Sequence, residues 1–235
     1  VRQLALAVQL RASAVFESFA PGENAELLAA LRDVDAGPLW IWGAPASGKT
    51  HLLQAACAAA GSGGAYFSLS AAIRLPPESL MGFEASPVLC LDDLDAVAGN
   101  LGWERALFSL FNASDELHTR LLFAASAAPR SLAWSLEDWR SRAVASAVYQ
   151  IHELDEPGRI EALALRAQQR GLQLPRETAE YLLRRVPRDL PSLLALLDAL
   201  DGESLAARRR LTIPFIREAL ERTAETPPAS RTTRR

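Results

Sequence analysis

Short apolar runs punctuate the first two thirds of the chain: Leu39-Trp40-Ile41-Trp42, Ala65 to Leu69, Val88 to Leu91, Leu121 to Ala125 and Val148 to Ile151. Runs of this length, bounded by polar and turn residues, fit strands buried on both faces of a parallel sheet. Between them apolar residues recur at three- and four-residue spacing, over Glu26 to Arg32, His51 to Cys57, Trp103 to Leu117 and Leu136 to Ala143. That period predicts amphipathic helices. The alternation predicts an α/β unit, a parallel five-stranded sheet flanked by helices.

After residue 154 the strand pattern stops. Pro157 to Gln169, Pro175 to Arg185, Leu190 to Leu200 and Ile213 to Arg222 read as four amphipathic helices. Pro157 and Pro175 suit first-turn positions, and Gly171 and Gly202 suit C-terminal stops. The pattern divides the chain into a tail over 1–14, an α/β unit over 15–154 and a small all-helical unit over 155–223. A polar segment over 224–235 follows, with two prolines and a basic end, and is expected to be disordered.

The sheet pattern locates a nucleotide site. The first strand runs directly into Gly43-Ala44-Pro45-Ala46-Ser47-Gly48-Lys49-Thr50, a complete G-x-x-x-x-G-K-[ST] motif, and a helical pattern opens at once with His51. Strand, glycine loop and helix is the context this motif needs. The glycines let backbone N–H groups turn inward around phosphates, and the helix N-terminus adds its partial positive charge. Lys49 is expected to reach the β and γ phosphates, and the Thr50 hydroxyl to ligate Mg²⁺. The third strand ends in Asp92-Asp93. Four apolar residues and then an acid deliver a carboxylate to the edge of a parallel sheet where ligands bind. Asp92 is expected to hold Mg²⁺ through water and Asp93 to polarise the attacking water, with Cys90 a core residue.

Composition sharpens this reading. The chain has 235 residues, 49% hydrophobic and 23% charged, with a net charge of −3, which fits a folded protein without a broad hold on nucleic-acid phosphate. All its basic residues but one are arginine, and the exception is Lys49. A guanidinium replaces an ammonium on most surfaces, but badly in a tight phosphate cradle that needs a compact charge. Cys57 and Cys90 make neither a disulfide framework nor a zinc site. No run of about 18 apolar residues is present, so no spanning helix is expected. The stretch Val1 to Ala14 mimics a secretory signal, but its apolar core, Leu4 to Val8, is shorter than the roughly 7–15 residues a signal needs. On the residues alone this segment is either a frayed tail or a short peptide ligand anchored by Gln3, Leu4 and Leu6.

Together, the phosphate loop on the first strand, the Asp92-Asp93 pair on the third and the helical unit after the fifth resemble the AAA+ ATPases. Within these the chain resembles the DnaA family. Phe16-Glu17-Ser18-Phe19 with Gly22 and Asn24 is similar to that family's entry segment, which packs beside the adenine, and His51 to Ala55 is similar to its first helix. Gln3-Leu4-Ala5-Leu6 and Leu211-Thr212-Ile213-Pro214-Phe215 resemble features of its Hda branch. The resemblance spans about residues 3–222. It implies an AAA+ P-loop sheet followed by a helical lid.

The resemblance implies roles residue by residue. Residues Gly43 to His51 would hold ADP or ATP with Mg²⁺, and Arg188 would touch phosphate from the lid as the second sensor. Ser126 stands at the first-sensor position, where the family usually has an acid or an amide. Arg142 stands at the arginine-finger position and would act in trans on nucleotide held by a neighbouring protein. Gln3, Leu4 and Leu6 would dock on the sliding clamp, the β subunit of DNA polymerase III, although Ala7 stands where proline is usual. Asp93 is one methylene shorter than the glutamate of vigorous AAA+ motors. With Ser126 it predicts weak hydrolysis by the chain itself.

The implied function is cytoplasmic regulation of replication initiation. With the DNA-loaded clamp, the chain would stimulate hydrolysis of DnaA-bound ATP and so prevent re-initiation. The partners implied are DnaA and the clamp, with self-association allowed. No DNA-reading helix pair follows the lid pattern, so sequence-specific DNA binding is not expected. An alternative is a self-sufficient ATPase that loads or remodels replication proteins, which Ser126, Asp93 and the net charge disfavour. A small-molecule kinase is disfavoured by the helical unit after the sheet.

Overall fold

The structure, a computed structural model, describes residues 14–185, 190–207, 212–214 and 216–217. It falls into two compact units, one ending at Asp155 and one beginning at Glu156. In the first, helices α1 (Ala25–Arg32), α2 (Lys49–Ala59), α3 (Leu69–Ala72), α4 (Leu101–Glu116) and α5 (Glu137–Ala145) alternate with five strands. These are β1 (Leu39–Trp42), β2 (Gly64–Ser68), β3 (Val88–Asp92), β4 (Arg120–Ala125) and β5 (Ala147–Gln150). All pairings are parallel, in the order β2-β3-β4-β1-β5. This is the expected fold class. The strands fall within a residue or so of their predicted bounds, and the one-turn α3 escaped the periodicity.

Alternation along the strands builds two cores. Trp40, Leu89, Leu91, Leu121 and Phe123 pack on one face with Trp103, Leu107 and Trp139. Leu39, Ile41, Cys90, Leu122 and Ala124 pack on the other with Leu28, Leu52 and Leu53. Cys90 is fully buried, as expected of a core residue, and burial pushes its thiol pKa up. The central strands are apolar at every position because helices cover both sides.

Two buried ionic side chains fix helix ends. Arg120 donates to the carbonyls of Leu31 at 2.8 Å and Ala30 at 2.7 Å, satisfying acceptors left over at the end of α1. Glu104, on α4, is fully buried. It accepts the backbone N–H groups of Gly99 at 2.7 Å, Ser135 at 2.8 Å and Leu136 at 2.6 Å. Leu136 is the N-cap of α5, so this carboxylate pins the start of the helix that carries Arg142. Hydrogen bonds to a charged group contribute roughly 1.5–3 kcal/mol each, so Glu104→Ala, which removes three, is expected to destabilise the fold by about 3 kcal/mol or more. Urea denaturation checks this; a midpoint unchanged from wild type would mean that the three N–H groups find water.

In the second unit α6 (Glu156–Gln169), α7 (Arg176–Arg185) and α8 (Leu190–Ala207) enclose Leu163, Ala167, Leu182, Leu193, Leu197 and Ile216. Arg166 grips Asp198 through two nitrogens, at 3.0 and 2.8 Å, and ties α6 to α8. Gly171 takes φ +70° just beyond α6, the stop expected of it. Gly202 does not stop α8, which runs seven residues past Leu200. An isolated glycine costs a helix only about 1 kcal/mol, and Glu203, Leu205, Ala206 and Ala207 after it favour helix. The fourth predicted helix is described only at 213–214 and 216–217, all helical. Gln3, Leu4, Leu6, Arg188 and the segment 224–235 lie outside the described residues.

Candidate nucleotide and arginine-finger sites

The loop Gly43 to Gly48 leaves the C-terminal end of β1, between β4 and β5, and enters α2. Its two glycines answer to different constraints. A Cβ on Gly43 would lie 2.6 Å from Ile151 Cγ2, so only glycine lets the loop pass the end of β5. Gly48 has φ +106°, and a Cβ there would meet Phe19 at 2.8 Å. Ala46, between them, has φ +65°. At the head of α2, Lys49 Nζ donates to the carbonyl oxygens of Gly43 at 2.8 Å and Ala44 at 2.7 Å. Burial draws the Lys49 pKa below its ordinary value, while Asp92, Asp95 and Asp93 pull it back up.

The entry segment closes one side of the loop. Phe16 is buried, and the Phe19 ring lies 5.9 Å from the His51 ring. His51 Nε2 lies 3.2 Å from the Val15 carbonyl oxygen and 3.1 Å from Ser18 Oγ. The imidazole therefore holds the entry segment, while its residue remains in the first turn of α2. Asn24, also buried, exchanges two hydrogen bonds with the His152 backbone, at 3.0 and 2.7 Å, and anchors the segment beside the end of β5.

The acids lie on the other side. Asp92 ends β3 almost fully buried, and Thr50 Oγ1 donates to its Oδ2 at 2.7 Å. Burial raises the Asp92 pKa, the donated hydroxyls of Thr50 and Tyr66 oppose this, and the net shift is upward. Asp93, at φ +60°, turns the other way: its Oδ2 accepts from Ser68 Oγ at 3.1 Å and from Ser70 Oγ. Among the described residues no cluster of three His, Cys, Asp or Glu side chains could hold a metal. Thr50 and Asp92 fit a magnesium ion of the kind that takes one or two protein oxygens and completes its shell with phosphate and water. Ser126 follows β4, exposed, and its N–H donates to Asp95 Oδ1 at 2.9 Å.

Arg142 stands apart from these groups. It is exposed on the last turn of α5, with its guanidinium 5.5 Å from the Phe111 ring centroid. Helix α5 returns from the C-terminal end of β4 to the start of β5, where the Ala147 N–H meets the Pro38 carbonyl just before β1. Arg142 thus lies near the start of β5, whereas the phosphate loop leaves the C-terminal end of the neighbouring β1.

The sequence reading missed Tyr66, Gln54, Asp95 and the Ser68–Ser70 pair. Period-two alternation over Gly64–Ser68 was the available signal for Tyr66 and Ser68, since it puts both on one face. Nothing local reveals that Asp93 turns toward Ser68 and Ser70.

Residues 155–220 match the family model of the Hda lid domain. Domain III of the Thermotoga maritima replication initiation protein DnaA is 20% identical with a TM-score of 0.71, covering 92% of this chain and 99% of that one. AMPPCP-bound DnaA from Aquifex aeolicus is 23% identical with a TM-score of 0.69, covering 92% of this chain and 71% of that one. A RuvB mutant of Thermotoga maritima is 16% identical with a TM-score of 0.64, covering 90% and 72%. The fold is that of these DnaA and RuvB structures, and the helical segment over 155–220 is similar to the Hda lid domain. Among the described residues no helix is long and apolar enough to cross a membrane.

Proposed function

From this likeness to Hda and DnaA, we propose that the protein regulates the initiation of DNA replication by inactivating DnaA. Residues Gly43 to His51, with Arg188, bind ADP or ATP, and Thr50 and Asp92 take up its Mg²⁺. Gln3, Leu4 and Leu6 dock on the DNA-loaded β clamp in the cytoplasm. The chain then presents Arg142 to ATP held by DnaA, whose γ phosphate is hydrolysed.

The observation that carries this reading is Arg142, exposed near the start of β5, whereas the phosphate loop leaves the C-terminal end of β1. A guanidinium so placed can neutralise transition-state charge only on a neighbour's nucleotide. The tethering of Asp93 by Ser68 and Ser70, and the short polar side chain of Ser126, favour a protein slow on its own ATP. The test adds the protein, clamp and primed DNA to ATP-loaded DnaA and follows conversion to ADP. Conversion that needs all three supports the reading. Rapid, DNA-stimulated hydrolysis of free ATP by the isolated protein, with no effect on DnaA, would favour a self-sufficient remodelling ATPase.

The clamp contact has its own test. Changing Gln3, Leu4 and Leu6 together to alanine removes one polar and two apolar anchors, and burial of each apolar side chain contributes roughly 1.5–3 kcal/mol. Association with the clamp is expected to vanish while nucleotide affinity stays as in wild type. Co-migration of the triple variant with clamp on a sizing column would refute the docking role.

A further inference from the structure

A closed set of hydrogen bonds links three elements behind the loop. The β2–β3 register pairs Tyr66 with Cys90 and Ser68 with Asp92, so these four residues share the sheet face that α2 covers. Thr50 and Gln54, four apart on α2, lie on one side of that helix. Tyr66 Oη donates to Asp92 Oδ2 at 2.7 Å, and Thr50 Oγ1 donates to the same oxygen at 2.7 Å. Gln54 in turn hydrogen-bonds the Tyr66 hydroxyl. Asp92 Oδ1 accepts the Asp93 N–H at 3.0 Å. Both lone pairs of Oδ2 are thereby engaged by hydroxyls, and the carboxylate is fixed in rotation.

We propose that Tyr66 is a positioning residue for a magnesium–nucleotide complex: by holding one side of Asp92 Oδ2, it directs the Thr50 proton to the other and turns the Thr50 lone pairs toward the metal. A hydroxyl bonded to the carboxylate through its hydrogen can still coordinate a cation through its oxygen. It can do so in one direction only while the acceptor stays still. Packing alone does not require the Tyr66 hydroxyl, because phenylalanine fills the same space between β2 and α2. What phenylalanine lacks is the second donor. Asp92 can then rotate, Thr50 follows it, and the metal-facing oxygen is no longer held. Gln54 sets the direction of the Tyr66 hydroxyl from behind, so the effect reaches Thr50 through three side chains in contact. The proposal rests on the assignment of Thr50 and Asp92 to the metal.

The experiment compares wild type with Tyr66→Phe in the full chain, using a fluorescent ADP analogue in excess EDTA and over a Mg²⁺ titration. In EDTA the two proteins are expected to bind alike, which also reports that the variant is folded. The Mg²⁺ concentration that gives half of the affinity gain is expected to rise about tenfold, the lower end of what loss of a group behind a metal ligand costs. Gln54→Leu is expected to shift it in the same direction by less. An equal fall of affinity with and without Mg²⁺ would mark Tyr66 as a packing residue and overturn the proposal, as would an unchanged Mg²⁺ response. If wild type itself gains nothing from Mg²⁺, the assignment of Thr50 and Asp92 fails, and the role of Tyr66 with it.

Discussion

Arg142→Ala is expected to leave folding, nucleotide binding and clamp binding near wild type and to abolish most of the conversion of ATP-DnaA to ADP-DnaA. The side chain is exposed, and its one intramolecular contact described above is the face of Phe111. Phe111 is a core residue, but the guanidinium above it is exposed, and a cation–ring contact at an exposed site contributes only about 0.5–1 kcal/mol, so its loss barely touches stability. An arginine supplied in trans accelerates phosphoryl transfer by about 10³–10⁵, or roughly 4–7 kcal/mol of transition-state stabilisation. Single-turnover hydrolysis of DnaA-bound ATP with clamp, DNA and either protein measures it. Arg142→Lys sharpens the result, because an ammonium keeps the charge and loses the planar fork that spans two phosphate oxygens. Stimulation by Arg142→Ala equal to wild type would reduce Arg142 to a surface residue and end the trans mechanism. Glu104 enters here as well, since by holding the N-cap of α5 it fixes the start of the helix that carries Arg142.

Lys49→Ala is expected to lower affinity for ADP and ATP by about 10²–10⁴. Hydrogen bonds to a charged group contribute roughly 1.5–3 kcal/mol each, and this ammonium would reach two phosphates. No substitute stands ready, since the chain has no second lysine. Its Nζ already lies over the loop, on the carbonyl oxygens of Gly43 and Ala44, partners that phosphate oxygens would replace. Binding of a fluorescent nucleotide measures the effect, and unchanged affinity would remove the phosphate-loop assignment. With Lys49 proposed to act in cis and Arg142 in trans, the two variants separate the roles. The first should lose the chain's own nucleotide, and the second should keep it and lose the effect on DnaA.

What the sequence determined by itself is what short-range pattern controls. The apolar run of β1, the loop Gly43 to Thr50 and the opening of α2 are contiguous, and each follows from its own residues: apolar positions for a strand covered on both sides, glycine where β5 passes or φ turns positive, and a helix period after Lys49. The acid ending β3 was legible for the same reason, and the loss of strand pattern after residue 154 announced the helical unit. The tertiary structure decided what long-range packing controls. Glycine at 202 read as a stop, but glycine alone does not set a helix end, and α8 continues through it. The partners of the acids were invisible in sequence, because Tyr66 and Thr50 reach Asp92 from positions 26 and 42 residues away, and Ser68 reaches Asp93 across 25. Such pairs form only once the parallel register sets β2 beside β3 and α2 covers their shared face. The placement of Arg142 is decided in the same way, by a helix that must return to the start of β5 and by a buried glutamate that holds its first turn.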